Sequence, residues 1–135
     1  MKTAVIYWSG TGNTEAMAQA VAEGAGAELF SVSDFSGNIE DYDAVAFGCP
    51  AMGSEVLEED EFEPFFSAVE SKLKGKKVAL FGSYGWGDGE WMRNWEDRVK
   101  ADGAVLVNGE GVVANEAPTE EDMENCRALG RTLAE

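Results

Sequence analysis

The feature that most constrains this chain is a rhythm. Short, continuous apolar runs alternate with segments whose apolar residues recur at helical spacing. Ala4–Trp8, Ala44–Gly48 and Val78–Gly82 show no polar alternation, the pattern of strands covered on both faces. Helical spacing appears in Met17, Ala18, Val21, Ala22 and Ala25, then in Phe62, Phe65, Val69 and Leu73. It returns in Trp91, Met92, Trp95 and Val99, and in Met123, Cys126, Leu129 and Leu133. Glu28–Ser33 reads as a further strand, and residues 34–43 as a turn-rich stretch with at most a brief helix. Ala104–Val107 and Gly111–Ala114 read as one last strand broken near Asn108-Gly109. Asp88 is the expected N-cap of the third helix, and Thr119-Glu120-Glu121-Asp122 resembles a capping box opening the last. Strand–helix alternation implies an α/β fold, a parallel sheet with helices on both faces. At 135 residues the chain suits one domain, 1–135. In such sheets ligands bind beyond the carboxyl ends of the strands, where the strand order reverses.

Charge and composition narrow the chemistry. Ten basic against 26 acidic residues leave a net charge of −16, which disfavours nucleic acid and anionic membranes and favours basic protein partners and a monomer. There is no His, so a His-based triad or His metal site is excluded. Cys49 and Cys126 have no Cys-x-x-Cys spacing, so neither a disulfide framework nor a metal or iron–sulfur cluster is expected. That points to a reducing, cytoplasmic setting, with both cysteines as packing residues. The apolar start is too short for a secretory signal, and no stretch approaches the ~18 apolar residues of a membrane span.

Three strand-end loops carry the functional signal. Ser9-Gly10-Thr11-Gly12-Asn13-Thr14 stands between the first strand and the first helix. Its glycines let successive N–H groups converge, its hydroxyls and amide add donors, and the helix start adds partial positive charge. It is a phosphate cradle without Lys or Arg. It lacks the Gly-Lys-Ser/Thr of a Walker A loop, and Glu15 stands where a dinucleotide fingerprint needs a third Gly. The second loop is Cys49-Pro50-Ala51-Met52-Gly53-Ser54-Glu55. Gly53 allows its peptide to reorient, Met52 offers a polarizable surface, and Glu55 an acceptor. Each has a blander reading, Met52 as core and Glu55 as a solvated acid. The third is Ser83-Tyr84-Gly85-Trp86-Gly87-Asp88-Gly89, where an indole between glycines suits stacking on a planar ligand. An exposed turn with Trp86 folded over the sheet edge is the alternative. Together the loops describe a pocket for a phosphorylated, planar, aromatic molecule.

With these motifs the sequence resembles a short-chain flavodoxin over essentially its whole length. Ser-Gly-Thr-Gly-Asn-Thr at 9–14 follows Tyr7-Trp8, with Ala-Met-Gly-Ser-Glu at 51–55 and Gly-Ser-Tyr-Gly-Trp-Gly at 82–87 in the right order. The resemblance implies a flavodoxin-like, doubly wound, five-stranded parallel sheet of order 2-1-3-4-5 and one non-covalent FMN. It implies phosphate contacts from Ser9, Gly10, Thr11, Gly12, Asn13 and Thr14, with Ser83 assisting. Pro50, Ala51, Met52, Gly53, Ser54 and Glu55, and Tyr84, Gly85, Trp86 and Gly87, would surround the ring. Trp86 would stack on its outer face and Met52 lie against its inner face. Glu55 would accept from the flavin N3–H, and the Gly85 amides would face the pyrimidine edge. Gly53 would turn its carbonyl toward N5–H on one-electron reduction. Pro50 carries neither N–H nor hydroxyl for the phosphate.

The implied function is a low-potential one-electron carrier that shuttles electrons between redox proteins and has no substrate of its own. A carboxylate about 10 Å from a negatively charged reduced flavin costs ~1.7 kcal/mol at an effective dielectric near 20, before screening. The run Glu55, Glu58, Glu59, Asp60, Glu61 and Glu63 suits a solvated helix start. It also suits steering toward basic-faced reductases and oxidoreductases. Lys72, Lys74, Lys76 and Lys77 follow the same helix at its C-terminal end. An FMN-dependent NAD(P)H quinone or azo-type reductase on this fold would need an open flavin face, which Trp86 opposes. A response-regulator-like domain would need clustered Asp residues at strand ends, and the first and third strands end without them.

Overall fold

The structure is a computed structural model and describes residues 2–135. Its strands are β1 (Thr3–Tyr7), β2 (Glu28–Ser31), β3 (Ala44–Gly48), β4 (Lys77–Tyr84), β5 (Val105–Leu106) and β6 (Val112–Asn115). Its α-helices are α1 (Asn13–Ala25), α2 (Phe62–Val69), α3 (Glu90–Ala101) and α4 (Glu120–Leu133). All strand pairs are parallel, in the order β2-β1-β3-β4-β5, and β6 pairs with β4 beyond β5. β5 lies against Lys77 and Val78 and β6 against Phe81–Tyr84, so the two share the fifth lane. The expected break in that lane falls at the Val107–Gly109 turn, where Asn108 is left-handed with φ 62°.

Alternate residues of the central strands point to opposite faces, and both faces are buried. Ile6, Val45, Phe47, Val78 and Leu80 pack with Phe62, Phe66, Trp91, Trp95 and Val99 of α2 and α3. Val5, Ala46, Ala79 and Phe81 pack with Met17, Val21, Cys126, Leu129 and Leu133 of α1 and α4. This two-sided burial is why the central strands read as unbroken apolar runs. α1 and α4 approach very closely: a Cβ on Gly130 would lie 2.1 Å from the Val21 carbonyl oxygen.

Some helix ends differ from expectation. Gly89, not Asp88, is the N-cap of α3, and Asp88 instead pairs with Arg93 at 3.0 Å. α2 stops at Val69 and continues as a 3₁₀ turn over Glu70–Lys72, which still delivers Leu73 to the core. The brief helix between β2 and β3 is a 3₁₀ turn, Ile39–Asp41, and β2 closes at Ser31. The capping box at Thr119 and Asp122 forms with both reciprocal bonds.

Candidate functional site

The strand order reverses between β1 and β3, the place where such sheets leave a crevice at their carboxyl ends. A cavity of about 430 Å³ opens there. Gly10, Thr11 and Asn13 wall one side, Pro50, Ala51 and Met52 a second, and Ser83, Tyr84 and Gly85 a third. Trp8 and Glu116 also line it.

The first loop turns tightly. Gly12 sits at φ 97° as the N-cap of α1, with no side-chain cap. The Ser9 hydroxyl accepts from the Gly12 N–H at 3.1 Å, and the Thr11 hydroxyl from the Asn13 N–H at 3.4 Å. The N–H groups of Ser9, Gly10 and Thr11 have no protein acceptor among the described residues. Unclaimed amides at a helix N-terminus suit an anion. Thr14 is buried and its hydroxyl meets that of Ser83 at 3.1 Å, tying the first loop to the third.

The second loop is a compact turn. Met52 N–H donates to the Val56 carbonyl at 2.9 Å, and Glu55 N–H to the Met52 carbonyl at 2.7 Å. Glu55 adopts a left-handed φ of 56°. Ala51 N–H donates to the Ser83 carbonyl at 3.0 Å, which joins the second loop to the third. Met52 is exposed. A Cβ on Gly53 would meet no atom within 4 Å, so the peptide there has room to turn. In the third loop Trp86 is 67% exposed, an indole without a packing partner. Gly87 has φ 89°, and a Cβ there would lie 2.5 Å from Glu55 Oε1. That Oε1 is buried and accepts no hydrogen bond among the described residues. Gly53, Ser54, Glu55, Trp86 and Gly87 stand in the loops rather than on the cavity wall, as do Ser9, Gly12 and Thr14.

Sequence reasoning passed over Trp8, Glu116 and Arg93. Glu116 carried a weak signal, a polar residue just past the fifth lane, and it is left-handed at φ 58°. Trp8 extends the first apolar run to the crevice, and its indole N–H donates to Glu61 Oε1 at 3.2 Å. Arg93 reaches back from α3 and holds the exposed Asp88 carboxyl below its usual range. A cation therefore stands beside a third loop that contains none itself.

The acidic run also divides. Glu59, Asp60 and Glu61 are exposed, whereas Glu58 is only 5% exposed. Burial pushes the Glu58 carboxyl up, but bonds from the Phe62, Glu61 and Asp60 amides outweigh it and hold it below the usual carboxylate range. Glu63 is held low by Arg98, which it meets at 2.8 Å. Cys49 and Cys126 are free and buried, and burial pushes both thiols up to about 12.

The flavodoxin family model matches residues 5–130. The chain belongs to the flavodoxin family. It is 49% identical to a flavodoxin of Megasphaera elsdenii, covering 96% of each chain. It is 46% identical to a flavodoxin of Clostridium beijerinckii, covering 96% of this chain and 97% of the other. The solution structure of the two-electron reduced Megasphaera elsdenii flavodoxin superposes with a TM-score of 0.87 over 98% of both chains, at 43% identity. Flavodoxins are FMN-binding electron carriers, so membership favours the carrier over the reductase. No helix among the described residues is long and apolar enough to cross a membrane.

Proposed function

We propose that the crevice seats one FMN, with its phosphate on Ser9–Thr14 and its ring between Met52 and Trp86, and that the protein exchanges single electrons with basic-faced reductases and oxidoreductases. The unpaired, buried Glu55 Oε1 carries this reading. A buried carboxylate oxygen without a donor is costly, and a ring N–H on a ligand would supply one. The unclaimed amides of Ser9, Gly10 and Thr11 support it from the other end of the crevice. The bound FMN supplies the one-electron chemistry.

The chain's own residues bind, orient and shield. The first loop compensates a phosphate with amides and hydroxyls alone, with Ser83 and Thr14 fixing its floor. Trp86 and Met52 cover the two faces of the ring, which leaves no face for hydride delivery and no place for a substrate. Gly53 has space to present its carbonyl or its N–H toward the ring edge. The exposed acids beside the crevice raise the cost of added negative charge on the ring and attract basic partners. Two free, buried cysteines accord with a reducing cytoplasm, and the charge of −16 with a monomer.

Titration of the apoprotein with FMN tests this directly. One equivalent should bind and quench tryptophan fluorescence, and Trp86→Ala should weaken binding about tenfold, or ~1.4 kcal/mol. The reading fails if FMN does not bind, or if Trp86→Ala binds as tightly as the parent. Rapid bleaching of the bound flavin by NAD(P)H alone would instead favour the reductase.

A further inference from the structure

Glu58 sits in the middle of an acidic run, yet it behaves unlike its neighbours. Its side chain is buried against the first turn of α2 while Glu59, Asp60 and Glu61 face solvent. Oε2 accepts from the Asp60 N–H at 2.8 Å, and Oε1 accepts from the Glu61 and Phe62 N–H groups at 2.8 Å each. These are the amides that a helix start leaves without partners, and no side chain at the N-cap position serves them. Its own N–H donates to Cys49 Sγ at 3.3 Å. Cys49 is in turn fixed: its N–H donates to the Phe81 carbonyl at 3.2 Å, and its carbonyl accepts from the Trp91 indole at 3.1 Å. Residues 49 and 58 thus pinch the base of the loop that carries Met52, Gly53 and Glu55 at its tip.

We propose that Glu58 is a positioning residue that clamps this loop at its base, so that reorientation is confined to the tip near Gly53. The proposal rests on the FMN reading above. A rigid base with a free tip makes the loop's contact with the ring depend on geometry held by Glu58. Its exposed neighbours Glu59 and Asp60 act on the ring only through charge. The two roles separate experimentally, because salt screens the exposed charges of the run, and a variant of the buried Glu58 that keeps its charge but shortens its reach disturbs positioning alone. A change in the protein's relative affinity for two oxidation states of the ligand appears as a shift in the potential joining them, about 59 mV per tenfold.

The test compares Glu58→Gln with Glu59→Gln in the apoprotein and in the FMN-loaded protein. In the apoprotein, Glu58→Gln should speed hydrogen exchange at the Asp60, Glu61 and Phe62 amides at least tenfold, and Glu59→Gln should leave them unchanged. In the loaded protein, Glu59→Gln should raise mainly the potential of the step that leaves the ring negatively charged, an effect that fades with added salt. Glu58→Gln should also change the interval between the two potentials, and that change should persist at high salt. Glu58→Asp keeps the charge but shortens the reach, so it should reproduce the salt-resistant change in the interval without the shift that comes from losing a charge. The inference is overturned if Glu58→Gln and Glu59→Gln shift the potentials alike, or if Glu58→Asp behaves as the parent. Should Glu58→Gln not fold, Glu58→Asp and Cys49→Ala supply the same comparison, Cys49→Ala removing the acceptor of the Glu58 N–H. If the parent protein itself binds no FMN, the functional reading has failed, while the apoprotein exchange result still decides the clamp.

Discussion

Two glycines near the crevice ask for different things. Gly87 needs its residue type twice over: φ is 89°, a region that L side chains avoid, and a Cβ would press on Glu55 Oε1 at 2.5 Å. Gly87→Ala should therefore displace the Glu55 carboxylate and strain the turn, raising the FMN dissociation constant about tenfold in a fluorescence titration. An unchanged constant would separate Glu55 from the ligand. Gly53 has no positive φ and open space around it. Gly53→Ala should keep apoprotein stability within ~0.5 kcal/mol in urea unfolding. It should nonetheless bring the two one-electron potentials of the loaded protein closer together, because a Cβ restricts peptide reorientation. Potentials that stay apart would remove Gly53 from the redox role that the resemblance assigned to it.

At the scale of elements, α2 and α3 are fastened by one cation. Arg98 meets Glu63 at 2.8 Å and Glu70 at 2.6 Å, and its guanidinium lies 4.9 Å from the centre of the Phe66 ring. Just past α3, burial and the nearby Glu70 push the Asp102 carboxyl up to about 6, and its Oδ2 is buried without a partner. A carboxyl whose pKa is higher folded than unfolded binds more protons in the native state. Its contribution is a cost near pH 7 that is relieved as pH falls through 6 toward 4. Glu63 and Glu70, held low by Arg98, contribute the opposite way and lose their stabilisation as pH falls below the ordinary carboxylate range. Asp102→Asn should therefore stabilise the apoprotein by about 1 kcal/mol at pH 7, after discounting for solvent, and by little at pH 4. Urea midpoints at the two pH values check this, and equal midpoints at pH 7 would contradict it. None of this clamp was legible in the sequence, because the partners are 28 and 35 positions apart in the chain. The strands were legible, since burial on both faces leaves a run such as Ala4–Trp8 without polar alternation. The start of α3 was misread, because Asp88 is a sound cap by residue type and only the backbone reveals that Gly89 takes the place. The crevice loops were legible as Gly-rich segments after strands, but Trp8 and Glu116 were not, since one reads as the end of a strand and the other as a solvated acid. Likewise, composition marks 55–63 as acidic without revealing that Glu58 is turned inward.

Over the whole molecule, the fold sorts its lysines by the direction of the chain. Every strand runs toward the crevice and every helix returns from it, so helix starts gather at one pole and helix ends at the other. All six lysines stand at the far pole. Lys2 precedes β1, and Lys72, Lys74 and Lys76 line a groove with Tyr42 and Asp43 just before β3. Lys77 opens β4, and Lys100 lies in the last turn of α3. Glu59, Asp60, Glu61, Glu116, Glu120 and Glu121 lie at the crevice pole, in loops after strands or at the start of α4. A molecule with this separation turns its crevice toward a basic surface before contact, which raises the fraction of encounters that are productive. Position should then matter more than net charge. Glu59→Lys with Asp60→Lys and Glu40→Lys with Asp41→Lys change the total equally, but only the first pair alters the crevice pole. At low ionic strength the first should slow electron transfer from a basic-faced reductase several-fold, and the second should change it little. The difference should shrink as salt shortens the screening length to about 3 Å near 1 M. Stopped-flow traces over a salt series measure both effects, and equal slowing by the two pairs would show that partners respond to overall charge alone.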